Sequence, residues 1–428
     1  MAIIDALISK VIKRGELTIT YPSGKSRTYG APEPGGRKVS IHIRDAQTLR
    51  QIMRNPRLAM GEAFMDGRMT VDGDVYDLLD LIIFNTRWEQ GGSARREINK
   101  RGWLKGKLDQ LNWRSRSKRN VAHHYDLGNR LYELFLDPDM QYTCAYFTDP
   151  NNSIEQAERD KKAHILAKLG LKPGQRVLDI GSGWGGLAIH MNKVADVDVL
   201  GITLSEEQLV YARRRADEAG VADRVKFELL DYRDLPEHEQ FDRVTAIGVL
   251  EHIGPPQFEA FFGTLRRILK RDGVALVHFL GRLGTPGVTD PWIAKYIFPG
   301  GYSPSLSEVI TASERVRLIS SDIEQLRMHY GYTCRRWLER LRSNRDAIVA
   351  LYDERFFRMW EYFLAGSITV FENGGCCNYQ IQYVRDRCAV PRLRDYMVDE
   401  ERALRKVAAA ASIHKSSEAI RGEGTATT

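Results

Sequence analysis

The sequence lacks any apolar run near the roughly 20 residues that a membrane-spanning helix needs; its longest compact run covers residues 78–84. Residues 1–14 are amphipathic and contain neither the apolar core nor the cleavage site of a signal peptide. Cysteine is scarce and shows no C-x-x-C spacing, so we expect neither a disulfide framework nor a metal site. These absences predict a soluble, cytoplasmic protein. The five cysteines are Cys144, Cys334, Cys376, Cys377 and Cys388.

The composition is that of a globular chain, with 428 residues, 43% hydrophobic content and ordinary amounts of glycine and proline. The formal net charge of +7 favours an anionic partner, either nucleic acid or a lipid surface. Residues 95–119 hold ten cations against Glu97 and Asp109, with Trp103 and Trp113 interleaved. Cations with tryptophan suit an anionic membrane interface, although a solvated linker has the same composition.

Residues 177–186, which read V-L-D-I-G-S-G-W-G-G, carry the strongest functional signal. The apolar run 176–180 predicts a buried strand with Asp179 at its carboxyl end. Gly181 and Gly183 then allow a tight turn that brings bare backbone against a ligand. Many nucleotide-binding folds share such glycines. The segment therefore predicts a cofactor loop in an α/β sheet without naming the cofactor.

Alternating strands and helices follow this loop, and they predict an α/β fold with a doubly wound, Rossmann-like parallel sheet and a site along one edge. A dinucleotide dehydrogenase would end its second strand in a carboxylate, where this chain has Thr203. The order of the polar turns instead resembles that of the S-adenosylmethionine-dependent methyltransferases. The predicted elements are strands at 197–203, 225–230, 241–247 and 273–279, and a helix over 205–219 that begins with capping-box spacing.

Four longer segments resemble the cyclopropane-fatty-acyl-phospholipid synthases. They cover residues 61–67, 123–129, 140–147 and 290–301. The resemblance implies transfer of a methyl(ene) group from S-adenosylmethionine to the cis double bond of an unsaturated acyl chain in a membrane phospholipid, which closes a cyclopropane ring. It also implies a homodimer that associates peripherally with the inner, anionic face of the membrane and does not bind nucleic acid.

The expected domains follow from the resemblance and from local patterns. Residues 16–21 and 26–29 predict a hairpin, 39–43 a strand, and 45–54 and 75–84 helices. We expect a small N-terminal α+β lipid-associated domain at 1–90, a basic linker at 91–120, a methyltransferase domain at 121–405 and a disordered tail at 406–428.

The resemblance implies positions for the cofactor. The glycine-rich loop approaches its methionine portion, the turn after the second strand its ribose and amino-acid parts, and the turn after the third strand its adenine. Tyr142 and Thr143 match a segment that covers it. The cofactor residues are Tyr142, Thr143, Gly181, Ser182, Gly183, Thr203, Leu204, Gln208, Asp231 and Tyr232.

The resemblance also implies a bound bicarbonate that removes the proton from the delivered methyl group. The residues that hold it match Cys144, through its backbone, Glu251, His278 and Tyr330. Each has a structural alternative. Glu251 and His252 could cap the next helix, His278 could be a hydrogen-bonded core residue, and Cys144 could be a nucleophile, although no His-Asn partner pattern accompanies it.

Aromatic faces can stabilise the carbocation that methyl transfer leaves on the acyl chain. The C-terminal part is expected to be helical and aromatic, which suits either a cover over an acyl tunnel or ordinary core. The aromatic candidates are Tyr125, Tyr142, Tyr146, Phe147, Tyr296 and Tyr330.

Two other functions remain open at this point. A related fatty-acyl C-methyltransferase would give methyl-branched or methylene products from the same cation. A nucleic-acid methyltransferase would use the basic segment, but amino-methylating members place a D/N-P-P-aromatic motif after the fourth strand. Residues 250–254 read L-E-H-I-G there.

Overall fold

A computed structural model describes residues 2–34, 36–87, 89, 128–238 and 240–406. The N-terminal module contains four helices and a four-stranded sheet of order β2-β1-β3-β4. The predicted hairpin is confirmed, since β1 and β2 pair antiparallel, and β1 also pairs parallel with β3. The elements are α1 (Ala2–Val11), β1 (Gly15–Thr20), β2 (Ser26–Ala31), β3 (Lys38–Ile43), α2 (Ala46–Arg54), α3 (Pro56–Met65), β4 (Met69–Asp72) and α4 (Val75–Phe84).

The larger, C-terminal part contains the remaining helices and a second sheet. The described elements are α5 (Asn129–Phe135), α6 (Ile154–Leu169), β5 (Arg176–Ile180), α7 (Gly186–Ala195), β6 (Asp198–Thr203), α8 (Glu206–Glu218), β7 (Val225–Leu229), β8 (Phe241–Ile247), α9 (Leu250–Ile253), α10 (Phe258–Ile268), β9 (Leu269–Arg282), α11 (Pro291–Tyr296), α12 (Leu306–Arg315), β10 (Ile319–Leu326), α13 (His329–Ser343), α14 (Arg345–Leu351), α15 (Glu354–Glu372) and β11 (Cys376–Val384).

The second sheet has seven strands in the order β10-β11-β9-β8-β5-β6-β7. The five strands β5 to β9 are parallel, as the sequence predicted. Two further strands that were not predicted make the sheet mixed, because β11 pairs antiparallel with both β9 and β10. The C-terminal part was expected to be helical, but it also contains the strand β11. The last of the described strands, β11, lies in the sheet between two earlier ones.

Helix starts follow local side-chain chemistry. Asp45, Asp74 and Ser153 each accept a backbone N–H from the first turn of α2, α4 and α6. Ser305 and Glu308 form a complete capping box at α12. These caps stabilise helix ends whose first N–H groups have no partner within the helix.

Two of the segments that carry the family resemblance meet in space. Trp292 of α11 packs so closely on Gly61 of α3 that an added Cβ at Gly61 would lie 2.4 Å from Trp292 Nε1. The neighbouring side chains of Arg57 and Asp290 form an ion pair at 2.9 Å. On the other side of the module, Arg342 of α13 donates to both carboxylate oxygens of Asp74 at 2.6 and 2.7 Å. The N-terminal module is thus held against the larger part by packing and by charge.

Among the described helices, none combines the length and the apolar character needed to cross a membrane. The basic segment, most of the 123–129 motif including Tyr125, and the predicted tail beyond residue 406 lie outside the described residues. The predictions for those segments stay predictions.

Candidate active site

A single cavity of about 1490 Å³ extends from the N-terminal module to the carboxyl ends of β5, β6 and β8. Every residue assigned from the sequence to the cofactor or to the bicarbonate lines it. Aliphatic side chains of α1, α2, α4, β1 and β3 line one end, and the glycine-rich loop and the polar residues line the other. The structure therefore brings the predicted site together, while the roles of its residues in binding stay predictions.

The glycine-rich loop turns as the sequence predicted. Gly181 and Gly183 have φ of +74° and +54°, a backbone region that favours glycine. The N–H groups of Gly181 and Ser182 both donate to the carbonyl of Ile202 on β6, at 2.9 and 3.0 Å. A Cβ at Gly183 would meet no protein atom within 4 Å, and the buried Ser182 hydroxyl has no hydrogen-bond partner among the described residues. An open, bare-backbone cradle with an orphaned hydroxyl fits a bound cofactor.

The turn after β6 forms a small hydrogen-bonded group. The Thr203 hydroxyl donates to Gln208 Oε1 at 3.0 Å and accepts the Ser205 N–H at 3.2 Å. Ser205 accepts the Gln208 N–H, so only half of the expected capping box forms at α8. In the other half, the Ser205 N–H donates to the Thr203 hydroxyl and not to the Gln208 side chain. Leu204 lies beside them on the cavity wall.

The turn after β7 contains a contact that the sequence did not predict. Asp231 accepts hydrogen bonds from Arg233 through both carboxylate oxygens, at 2.8 Å to Nε and 2.5 Å to Nη2. It also accepts the Arg233 N–H and so caps the 3-10 turn Tyr232–Asp234. The Tyr232 ring packs edge-on against Phe261. These contacts fix the turn against the cavity.

The segment that contains Tyr142 and Thr143 is tied to the glycine-rich loop by residues that sequence reasoning missed. Arg215 of α8 donates to the carbonyls of Asp139 and Trp184, at 3.1 and 3.0 Å, and also to the Asp139 carboxylate. Lys162 donates to the same carboxylate at 2.6 Å. One Asp in a short loop and one Arg of a basic helical run give no sequence signal for such a link.

Glu251 lies on the short helix α9, directly after β8. Its Oε1 accepts the Leu280 N–H at 2.5 Å, and its Oε2 has no partner among the described residues. Burial raises the pKa of Glu251 to about 7. Its carboxyl group is therefore close to half protonated near neutral pH and can donate or accept a hydrogen bond.

His278 of β9 is held by two amides from β11. The Asn378 amide lies 3.1 Å from Nε2, and the Gln380 amide lies 3.2 Å from Nδ1. Burial, assisted by the charge of Lys161, lowers the pKa of His278 to about 3, so the ring is neutral. His278 is thus a hydrogen-bonded core residue, as the structural alternative expected, and it also lines the cavity. Sequence reasoning missed Asn378 and Gln380.

Cys144 is not suited to nucleophilic chemistry, because burial raises the pKa of its thiol well above the usual value. Its Sγ lies 3.4 Å from the Ala145 carbonyl. No acceptor for the Cys144 backbone N–H is found in the part of the chain that the structure describes. Tyr330, at the start of α13, packs edge-on against Trp337 and Phe371. The raised pKa of the Cys144 thiol and its N–H without an acceptor fit the expectation that Cys144 acts through its backbone.

The expectation that all the named aromatics surround the site needs correction. Tyr146 stacks between His164 and His329, with ring centroids at 4.0 and 4.8 Å, and does not line the cavity. Tyr296 donates to Glu62 at 2.9 Å, and neither it nor Phe147 lines the cavity. The aromatic residues that do line it include Tyr142, Phe298, Tyr330, Tyr362, Phe363 and Phe371.

Comparison with known proteins agrees with this geometry. The profile of the family described as mycolic acid cyclopropane synthetase matches residues 113–381, and a domain of unknown function, DUF7884, matches residues 3–88. The cyclopropane-fatty-acyl-phospholipid synthase of Escherichia coli is 35% identical over 82% of this chain and 89% of its own length. A probable fatty acid methyltransferase of Pseudomonas putida is also 35% identical, over 81% of this chain and 87% of its own.

Solved structures show the same relationship for the larger part of the chain. The cyclopropane synthase MmaA2 of Mycobacterium tuberculosis aligns with a TM-score of 0.59 at 30% identity, over 62% of this chain and 97% of its own. The mycolic acid cyclopropane synthase CmaA1, complexed with SAH and CTAB, aligns with a TM-score of 0.58 at 30% identity, over 62% of this chain and 97% of its own. The chain therefore belongs to the mycolic acid cyclopropane synthetase family and is an S-adenosylmethionine-dependent methyltransferase.

Proposed function

We propose that this enzyme transfers a methyl(ene) group from S-adenosylmethionine to the cis double bond of an unsaturated acyl chain in a membrane phospholipid, which closes a cyclopropane ring. The observation that carries the proposal is the cavity itself. A long aliphatic chamber ends at a few buried polar groups beside a bare-backbone loop. An apolar chain that carries its only reactive bond at a distance from its headgroup fits such a shape.

The polar end fits the cofactor and a small anion. S-adenosylmethionine supplies the electrophilic methyl group when bound, and the glycine-rich loop with Thr203, Gln208 and Asp231 would hold it. A bicarbonate would meet a carboxyl oxygen of Glu251 and the Cys144 N–H, both without partners in the described structure. The neutral His278 lies beside them on the cavity wall, with its two ring nitrogens held by amides. This set would place a base where the delivered methyl group loses its proton.

The N-terminal module supplies the chamber for the acyl chain. Leu17, Ile19, Ile41 and Ile43 point from alternate positions of β1 and β3 toward one face, and all four line the cavity. The cavity volume exceeds the roughly 300–1,000 Å³ that is common for small-molecule sites. A chamber of this kind removes water from the alkene and aligns it for attack.

The outer end of the chamber has features of a membrane-facing entrance. Leu7 and Met53 line it and are 52% and 38% exposed. The exposed cations Lys10 and Arg54 line it as well. Apolar side chains flanked by cations suit the surface of an anionic bilayer. We propose peripheral association with such a surface at this entrance; the homodimer stays a prediction.

The proposal is tested by product analysis. Phospholipid vesicles with cis-unsaturated chains are incubated with the purified enzyme and S-adenosylmethionine whose methyl group is fully deuterated. A cyclopropane product retains two of the three deuterons and contains no double bond, because one is lost at ring closure. A methyl branch formed by loss of a proton from the acyl chain would retain all three and keep a double bond, and a methylene branch would retain two and keep a double bond. Either would assign the related C-methyltransferase function, and modification of nucleic acid instead of lipid would overturn the proposal.

A further inference from the structure

A buried ion pair lies against the catalytic end of the cavity. Lys161 and Glu158, both on α6, are each 1% exposed, and the Lys161 ammonium contacts Glu158 Oε2. The Glu158 carboxylate receives no other contact from the residues that the structure describes. Lys161 lines the cavity, whereas Glu158 lies behind it.

Such a pair is unfavourable for stability. Removing two charges from water costs several kcal/mol per ion, and their attraction repays this only when further hydrogen bonds satisfy both groups. Glu158 has no such bonds, and burial raises its pKa to about 8. Near neutral pH the carboxyl group is therefore largely protonated, which leaves the ammonium without a full counter-charge.

The position of Lys161 indicates what its charge serves. Its Nζ donates to Thr143 Oγ1 at 2.8 Å, and Thr143 directly precedes Cys144. Its charge also acts on Cys144 and on His278, since it lowers the pKa of both groups. Lys161 is thus near two of the groups assigned to the anion under the proposed function.

We propose that Lys161 is a positioning residue that supplies the buried positive charge against which the catalytic anion is held beside Cys144 and His278. This role rests on the proposed function. Thr143 restrains the ammonium from the cavity side, and Glu158 restrains it from behind. A neutral imidazole and one backbone N–H would bind an anion weakly by themselves, whereas a cation in a site of low dielectric strengthens the attraction severalfold.

The test compares anion dependence among matched variants. Cyclopropane formation on vesicles is measured in bicarbonate-depleted buffer as bicarbonate is added back, and the affinities for bicarbonate and for S-adenosylmethionine are measured by calorimetry. For Lys161→Met we expect the half-saturating bicarbonate concentration to rise about tenfold or more, with a smaller change in cofactor affinity, because Lys161 also donates to Thr143 of the predicted cofactor segment. Glu158→Gln retains the ammonium and should bind bicarbonate as tightly as the parent or more tightly. Lys168→Met, which removes another buried lysine of α6 whose charge is paired with Asp322 and Glu324 and which does not line the cavity, should leave the half-saturating concentration within about twofold of the parent.

The outcomes separate the role from the function on which it rests. If the parent responds to bicarbonate and Lys161→Met shows the same half-saturating concentration, the role of Lys161 is refuted and the proposed function stands. If the parent is indifferent to bicarbonate, the proposed base and this role are both refuted. Should Lys161→Met fail to fold, the Glu158→Gln/Lys161→Met double variant removes both charges at similar volume and undergoes the same titration.

Discussion

The two ends of the cavity differ in how they are built. At the N-terminal end, aliphatic side chains from two strands and three helices form the wall. At the catalytic end, Glu251, His278 and Lys161 are buried with hydrogen bonds or ion pairs that hold their orientation. The first end needs only a shape that fits an apolar chain and excludes water. The second end depends on the protonation of groups whose pKa burial has shifted. The two ends should therefore respond differently to substitution.

The largest effect is expected at the polar end. Glu251→Gln is nearly isosteric and should retain cofactor affinity, while the loss of the anion contact should reduce cyclopropane formation by about 10²–10⁴-fold. Methyl-branched or unsaturated side products would show that proton removal, and not methyl transfer, is impaired. Chromatography with mass spectrometry measures both. Full cyclopropane formation by this variant would remove Glu251 from the mechanism.

The same residue should change how stability depends on pH. The pKa of Glu251 is raised in the folded state from about 4.5 to about 7, so its favourable contribution is present below pH 4.5 and is lost as the pH rises through 7. Glu251→Gln removes this dependence. Its free energy of unfolding relative to the parent should therefore increase by about 3 kcal/mol between pH 4 and pH 8. Denaturant titrations at several pH values measure it, and a constant difference would contradict the shifted pKa.

Valine substitutions at two glycines with positive φ distinguish the effect of backbone strain from the loss of the cofactor site. Gly183→Val places a side chain at positive φ in the cradle, and we expect cofactor affinity to fall by about 10²-fold or more. Gly174→Val is the matched control, since Gly174 has φ of +76°, open space around its Cβ and no place on the cavity wall. The control should lose stability but retain affinity in calorimetry. Equal affinity in both variants would place the cofactor elsewhere.

The smallest effect is expected at the aliphatic end. Ile52→Glu introduces a charge on the chamber wall, and turnover on vesicles should fall by about tenfold through a higher KM, with cofactor affinity unchanged. Gln51→Glu adds the same charge one residue away, at an exposed position outside the cavity, and should leave turnover unchanged. If the two variants behave alike, the chamber does not hold the acyl chain.

The sequence predicted the parallel half of the larger sheet because its signals are local. The strands 176–180 and 241–247 have the observed bounds, and the turns after β5 and β6 place glycines and Thr203 at the cavity. Helix α4 was likewise predicted with its observed bounds; Asp74 caps it, and its buried residues Val75, Leu78, Leu79 and Phe84 recur at helical spacing.

The partners of His278 were missed because they come from a strand about 100 residues away, and no local pattern pairs β11 with β9. One signal was available. Asn378, Gln380 and Gln382 alternate with apolar residues at a period of two, so they share one face of a strand. All three are buried, which a sequence alone does not reveal. The contacts of Arg215 and Lys161 were missed for a related reason, since a charged helical residue is usually exposed.

The place of β11 in the sheet has a consequence for biosynthesis. Because β11 lies between β9 and β10, a ribosome-bound chain that has not yet exposed residues 376–384 holds His278 without Asn378 and Gln380, and β10 without a neighbour. Domains otherwise begin to fold as they emerge from the ribosome. The glycine-rich loop can therefore form early, whereas His278 is fixed only after residues 376–384 have emerged. A nascent chain would therefore form the predicted cofactor loop before the amides of β11 hold His278 in place.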